Sequence, residues 1–187
     1  MGYKLLLVLL VGAAGLSGQA AAAEWNAFPL SDGNRWTLRA EDGRGATNVS
    51  VRRGSGGLVL DGFPGTGDVR VRAAGPAIEA WDAGSNRWEP FLRLGANVGT
   101  KYSVNLTGEP LWRSVVVTVA SRQTVVHDAR GKTLRGCVKL TVSHPKGVAD
   151  AGIEELVFAP GVGLVKVVEL TIAGPRERVL SALRIES

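Results

Sequence analysis

Short apolar runs alternate with turn residues along almost the whole chain, and this pattern restricts the fold more than any other feature. In the run from Arg35 to Glu41, the side chains of Trp36, Leu38 and Ala40 share one face of an extended strand. Clusters of Gly, Asp, Asn and Pro separate such runs. No window of the sequence has the apolar spacing that a long amphipathic helix requires. The chain is therefore expected to fold from strands.

The spacing of these runs predicts an all-β domain. We expect about ten or eleven antiparallel strands in a strongly curved sheet, arranged either as a half-barrel or as a sandwich. Connections of hairpin length favour antiparallel pairing, because parallel neighbours need long crossovers. At most one short helix is expected, over residues Glu89 to Gly95.

The first residues are typical of an export signal. Lys4 is followed by an apolar run from Leu5 to Leu16, and Ala21 to Ala23 supply small residues for cleavage before Glu24. This run is too short to span a bilayer comfortably. We therefore predict a signal peptide over residues 1–23 and one antiparallel β domain over residues 24–187, without a transmembrane segment. No Cys lies at the cleavage point, and the predicted location is periplasmic or extracellular.

Charge and cysteine content exclude several classes of protein. The 22 Lys and Arg residues are interspersed with 17 Asp and Glu residues, without a basic block or an aromatic ladder between arginines. This distribution indicates a solvated surface and argues against nucleic acid as a partner. Cys137 is the single cysteine, so no intrachain disulfide forms. We expect it to be a packed thiol and not a nucleophile.

Candidate catalytic and metal-binding motifs are weak. The sequence has no Gly-x-Ser-x-Gly elbow, no His-x-x-x-His pair and no paired cysteines. His127 and Asp128 are adjacent, and therefore point to opposite faces of a strand. The same holds for Glu154 and Glu155, which excludes a joint role on a glycosidic bond. We predict no catalytic, cofactor-binding or metal-binding residues, and hence no enzyme and no cofactor. A hydrolase with an unrecognised site at His127 remains an alternative.

Three stretches resemble one family of exported bacterial proteins. Residues Trp25 to Trp36 are similar to its FPLxxGxxW opening, and Gly131 to Leu140 resemble its AGTFxxCxKV run. Residues Phe158 to Lys166 match its FAPGVGxVK motif. The family is a domain of unknown function, and the resemblance implies a fold related to the antiparallel β half-barrels of periplasmic lipoprotein carriers. It implies no catalytic residues. The chain departs from the family before Gly131, where Asp128-Ala-Arg replaces the usual Pro-Ala.

The third stretch reads as a hairpin turn. Pro160 suits the second position of a type II turn, and Gly161 supplies the positive φ of the third. Gly163 permits a bulge or a close backbone approach at the start of the next strand. Lys166 falls on an otherwise apolar face, so we expect its ammonium to snorkel to the sheet edge.

The aromatic residues leave two interpretations open. They either fill the core, or Trp81, Trp88 and Phe91 line a concave groove for a ligand or a partner. We therefore predict an exported, non-enzymatic domain that binds a hydrophobic small molecule or an envelope component. A structural or assembly factor of the envelope, acting through protein contacts at a sheet edge, is the other open alternative.

Overall fold

The computed structural model of the protein describes residues 28–40, 42–145 and 151–186. The predicted signal peptide over residues 1–23 lies outside this part. The strands are β1 (Arg35–Ala40), β2 (Ala46–Gly54), β3 (Gly57–Asp61), β4 (Val69–Ala74), β5 (Ala77–Asp82), β6 (Arg87–Leu92), β7 (Lys101–Val104), β8 (Val115–His127), β9 (Thr133–Ser143), β10 (Gly152–Ala159), β11 (Gly163–Thr171) and β12 (Gly174–Arg184). In the described ranges, no helix is both long and apolar enough to span a bilayer.

All twelve strands belong to one antiparallel sheet, in the order β6-β5-β4-β3-β2-β1-β12-β11-β10-β9-β8-β7. Two six-stranded meanders, β1 to β6 and β7 to β12, are thus joined through the pairing of β1 with β12. The sheet curls until its two outermost strands, β6 and β7, lie beside each other. The predicted curved antiparallel sheet is confirmed, and its shape is a nearly closed barrel.

The helix expected over Glu89 to Gly95 is absent, because β6 occupies most of that stretch. Pro90 lacks a backbone N–H, and β6 is an edge strand of the sheet. An edge position tolerates proline since one side of the strand needs no ladder partner. The one helical segment of the described chain is instead a 3-10 turn at Pro110–Trp112.

Aromatic side chains fill much of the barrel interior. Phe28 stacks on Trp36 at 4.7 Å between ring centroids and meets Phe158 edge-on at 5.7 Å. A second group contains Phe63, Phe91 and Trp112, with Phe91 and Trp112 4.9 Å apart. Such offset and edge-on contacts add stability beyond the buried area. The interior is therefore a packed core where these rings lie.

Side chains close the seam between β6 and β7. The Tyr102 hydroxyl on β7 donates to the Phe91 carbonyl at 3.3 Å and accepts from the Arg93 backbone N–H at 3.1 Å. Burial raises the pKa of Tyr102 to about 12, so the hydroxyl keeps its proton and remains a donor at neutral pH.

A buried carboxylate reinforces the same side of the barrel. Asp82, at the end of β5, is 2% exposed. It accepts hydrogen bonds from the Thr107 hydroxyl at 2.6 Å, the Thr107 N–H at 2.9 Å and the Ser85 N–H at 3.0 Å. These donors, the Thr107 hydroxyl first among them, hold the pKa of Asp82 well below its usual range. Asp82 thereby ties β5 to the segment after β7.

The β10–β11 connection is a tight turn against the start of the chain. The Val162 N–H donates to the Ala159 carbonyl at 3.1 Å, and Gly161 has a φ of 68°. The Trp36 indole N–H on β1 donates to the Val162 carbonyl at 2.5 Å. Gly163 has a φ of 96°, and a Cβ there would lie 2.8 Å from the indole nitrogen. The turn and Trp36 therefore form one packed unit.

The prediction that Lys166 reaches the sheet edge is wrong. Phe158 pairs with Leu164 and Val157 pairs with Lys166, so a bulge in β11 turns Lys166 away from the face of Leu164. Its ammonium lies 2.7 Å from Glu177 and 3.7 Å from Glu155, on the two neighbouring strands. Opposite charges on adjacent strands stabilise the pairing. Lys166 therefore belongs to a cross-strand ion-pair network in the middle of the sheet.

Candidate functional site

Two tryptophans and two arginines share the outer face of the sheet at β4 to β6. Val69 and Val71 of β4 are buried in the core. Arg70 and Arg72 alternate with them along the strand and therefore point outwards. The next two strands bring Trp81 and Trp88 onto this face, where they pair directly across β5 and β6.

Phe91 lies apart from these two tryptophans. It follows Trp88 by three positions on an extended strand, and so points to the opposite face. Its ring is completely buried, 5.2 Å from Phe63 in the core. The structure therefore brings Trp81 and Trp88 together but does not bring Phe91 into the same groove.

The Arg70 guanidinium lies over the Trp81 ring and near that of Trp88. Its central carbon lies 4.2 Å from the Trp81 ring centroid and 5.4 Å from that of Trp88. Arg72 lies 4.4 Å from the Trp88 centroid. The two indoles meet edge-on at 5.5 Å. Arginine over tryptophan is the most favourable cation–π pair, and the stacking fixes the plane of the guanidinium.

Arg70 differs from Arg52 and Arg72 because no carboxylate of the described chain pairs with it. Arg52 is paired with Asp68, and Arg72 is paired with Glu79 at 2.6 Å. Across residues 28–40, 42–145 and 151–186, no carboxylate forms an ion pair with Arg70, and its buried Nε has no hydrogen-bond partner in the protein. In the described chain, Arg70 is thus a half-buried cation without a carboxylate partner.

A cleft of about 440 Å³ opens in front of Arg70. Its walls are the β2–β3 turn, the start of β4, Trp81 and the loop after β7. Gly56 of the turn packs on the guanidinium, since a Cβ at this position would lie 2.4 Å from Nη1. Any larger residue at position 56 would displace Arg70. The far wall carries Glu109, whose Oε2 accepts the Gly67 N–H at 2.9 Å.

A second cleft lies between the β8–β9 hairpin and the outer face of β11, β12 and β1. The hairpin folds back onto the sheet, where the Ala129 N–H donates to the Leu180 carbonyl at 2.8 Å. His127 is exposed beside this cleft, with Nδ1 3.2 Å from the Thr133 hydroxyl. In the described part of the chain, no carboxylate is hydrogen-bonded to His127. The residues of a hydrolytic triad are therefore not assembled here.

Metal-binding side chains are scattered. Within the ranges described, no group of three or more His, Cys, Asp or Glu residues is placed to hold a metal ion.

Cys137 provides an internal probe of the β8–β9 hairpin. The thiol is fully buried, and burial raises its pKa. Because the thiolate is the reactive form, we expect native protein to resist a disulfide-exchange reagent at pH 8, and denatured protein to react with one equivalent. The absorbance of the thiol released from the reagent measures the extent of reaction in native and in denatured protein. Fast stoichiometric labelling of the native protein would show that the hairpin opens readily.

Comparisons with known proteins identify one distant structural likeness. No protein-family model matches the sequence, and no curated protein matches it. The chain is similar in structure to a putative lipoprotein from Parabacteroides distasonis ATCC 8503, with 14% sequence identity and a TM-score of 0.41. The match covers 84% of this chain and 98% of that chain. The function is therefore inferred from the site alone.

Proposed function

We propose that this chain is an exported, non-catalytic binding domain that holds an anionic group of a cell-envelope component in the Arg70 cleft. One observation carries the proposal: Arg70 is stacked on Trp81, lines an open cleft and has no carboxylate partner in the described chain. The predicted signal peptide supports placement outside the cytoplasm.

The chemistry of a stacked arginine favours an anion. A guanidinium is planar and presents its donors in a fork that matches carboxylate and phosphate oxygens. Trp81 and the Gly56 turn hold this fork in place before a ligand arrives, which reduces the entropy lost on binding. The aromatic packing inside the barrel favours binding at the outer surface over enclosure of a lipid in the interior.

The lining of the cleft supports a binding role over catalysis. Ser55 is the hydroxyl residue of the β2–β3 turn, and neither histidine nor cysteine lines the cleft with it. A serine nucleophile needs an adjacent base to activate it. Asp82, which also borders the cleft, already accepts three hydrogen bonds, from Thr107 and Ser85.

Replacement of Arg70 by Gln is expected to weaken anion binding strongly. Titration of the protein with inorganic phosphate at constant ionic strength should change the tryptophan fluorescence saturably, because Trp81 contacts the binding group. Arg70→Gln should weaken this binding by about tenfold or more, since a charged hydrogen bond contributes about 1.5–3 kcal/mol.

Arg72→Gln is the matched control for this experiment. Arg72 lies on the same strand and face, loses the same charge on substitution, and is already paired with Glu79. We expect the control to bind phosphate within about twofold of the wild type, given the weakness of exposed ion pairs. Equal losses in both variants, or no saturable signal in the wild type, would contradict the proposal.

A further inference from the structure

We propose that the group bound in the Arg70 cleft is zwitterionic, with a phosphate and a primary ammonium a few atoms apart, as in phosphoethanolamine. This inference rests on the proposed function, and it adds the chemical class of the ligand. It comes from a second charged residue of the same cleft, Glu109.

Glu109 is a carboxylate without a cation. Its Oε2 accepts the Gly67 N–H at 2.9 Å, which fixes the side chain beside the start of β4. Within the described part of the chain, no Lys, Arg or His forms an ion pair with it. The side chain is partly buried, so water screens its charge incompletely.

Asp82 also lines the cleft, and hydrogen bonds from Thr107 and Ser85 hold its charge. Among the other lining residues, the described chain leaves the cation of Arg70 and the carboxylate of Glu109 without an ion-pair partner. Asp68 and Arg52, which also line the cleft, neutralise each other. Arg70 and Glu109 line the same cleft without forming an ion pair with each other. A ligand with an anionic group and an ammonium can pair with Arg70 and Glu109 at the same time. A simple anion pairs with Arg70 but is repelled by the carboxylate of Glu109.

The placement of Arg70 and Glu109 favours separated charges in the ligand, because the two side chains line one cleft but are too far apart to form an ion pair. The walls of the cleft run from the β2–β3 turn, which packs on Arg70, to the loop after β7 that carries Glu109. In an α-amino acid the ammonium and the carboxylate are bonded to the same carbon atom. In phosphoethanolamine an ethylene unit separates them, and the tetrahedral phosphate offers several oxygens to the arginine fork. We therefore assign a phosphate–ethylamine group to this cleft.

The test compares O-phosphoethanolamine with inorganic phosphate, ethanolamine and glycine, each titrated by calorimetry and tryptophan fluorescence. The wild type should bind phosphoethanolamine at least about tenfold more tightly than the other three compounds. Glu109→Gln should lower the affinity for phosphoethanolamine by about tenfold and leave the affinity for inorganic phosphate unchanged or raised. Arg70→Gln should weaken the binding of both phosphate compounds.

The Glu109→Gln variant is expected to keep the fold. Its amide oxygen still accepts the Gly67 N–H, and thermal unfolding should confirm an unchanged fold. Glu186→Gln, at an exposed residue that does not line the cleft, is the matched control and should bind all compounds like the wild type.

The outcomes separate this inference from the proposed function. If Glu109→Gln leaves phosphoethanolamine binding unchanged while Arg70→Gln still weakens phosphate binding, the zwitterionic ligand is wrong and the anion site stands. Preference for glycine over phosphoethanolamine would also overturn the inference. Binding of phosphoethanolamine and phosphate that does not change in Arg70→Gln would overturn both this inference and the proposed function. Flotation with vesicles that contain phosphatidylethanolamine, with phosphatidylcholine vesicles as the comparison, then distinguishes a lipid headgroup from a soluble source.

Discussion

Replacement of Gly163 by Ala is expected to lower the free energy of unfolding by about 3–5 kcal/mol, a large share of the stability of a typical domain. Two costs add at this position. The φ of 96° lies in the region where an L side chain is strained. The new Cβ would also lie 2.8 Å from Nε1 and 2.9 Å from Cε2 of Trp36.

Trp36 has little room to relieve this contact. Its ring is fully buried, stacks on Phe28 and donates its N–H to the Val162 carbonyl beside the substituted residue. Movement of the ring would break the hydrogen bond and the stack together. Overpacking in a dense core costs energy for this reason.

Gly161→Ala is the matched control in the same turn. Gly161 has a φ of 68°, and a Cβ there would meet no atom within 4 Å. Only the backbone strain remains, so a loss of about 1–2 kcal/mol is expected. Urea titration followed by circular dichroism measures both variants. Equal losses at the two positions would show that the contact with Trp36 contributes nothing.

Asp82→Asn is expected to destabilise the protein by about 2–3 kcal/mol and to flatten its acid sensitivity. An amide oxygen accepts fewer hydrogen bonds than a carboxylate, so one of the Thr107 and Ser85 donors loses its buried acceptor. The seam between β5 and the segment after β7 loosens as a result.

The pH dependence has a definite sign. The folded-state pKa of Asp82 is depressed below the unfolded value of about 3.9, so its stabilisation is present above pH of about 4. That contribution is lost as the pH falls towards the folded-state pKa. Between pH 5 and pH 2 the wild type should therefore lose more stability than Asp82→Asn. Chemical unfolding at several pH values gives the difference.

Asp42→Asn serves as the control for acid sensitivity. Asp42 is exposed and accepts a single hydrogen bond from the Arg44 N–H, within its own turn. Its acid profile should parallel that of the wild type. A parallel profile for Asp82→Asn would instead show that Asp82 does not contribute to stability through its ionised form.

Alternation in the sequence predicts most of the fold, because a residue's face on a strand depends on its position alone. Trp36, Leu38 and Ala40 lie on the core face as the pattern indicates. The pattern fails where a strand gains a residue. One bulge in β11 moves Lys166 to the opposite face from Leu164. Gly163 indicates that a bulge can occur near the start of this strand, but alternation alone gives neither its position nor its effect on Lys166.

The sequence predicts only part of the candidate site. The aromatic pattern predicts Trp81 and Trp88 as site residues, but it does not predict Arg70. The signal for Arg70 lies in the turn: Ala74 pairs with Ala77 across Gly75-Pro76, which sets the register of β4 and β5. Counting back from this turn places Arg70 opposite Trp81. Strand register does not predict the position of Glu109, because this residue lies in an irregular loop. The loop reaches the cleft only through the curvature of the whole sheet.

The join between β1 and β12 has a consequence for folding kinetics. Each meander is assembled from hairpins between consecutive strands, which close short loops quickly. The ladder from Arg35 opposite Arg184 to Ala40 opposite Arg178 connects the two ends of the described chain. In the described chain, this ladder joins the two strands that are farthest apart in the sequence, and contacts between distant residues form slowly. We therefore expect the two meanders to form early and their union along β1 and β12 to limit the folding rate.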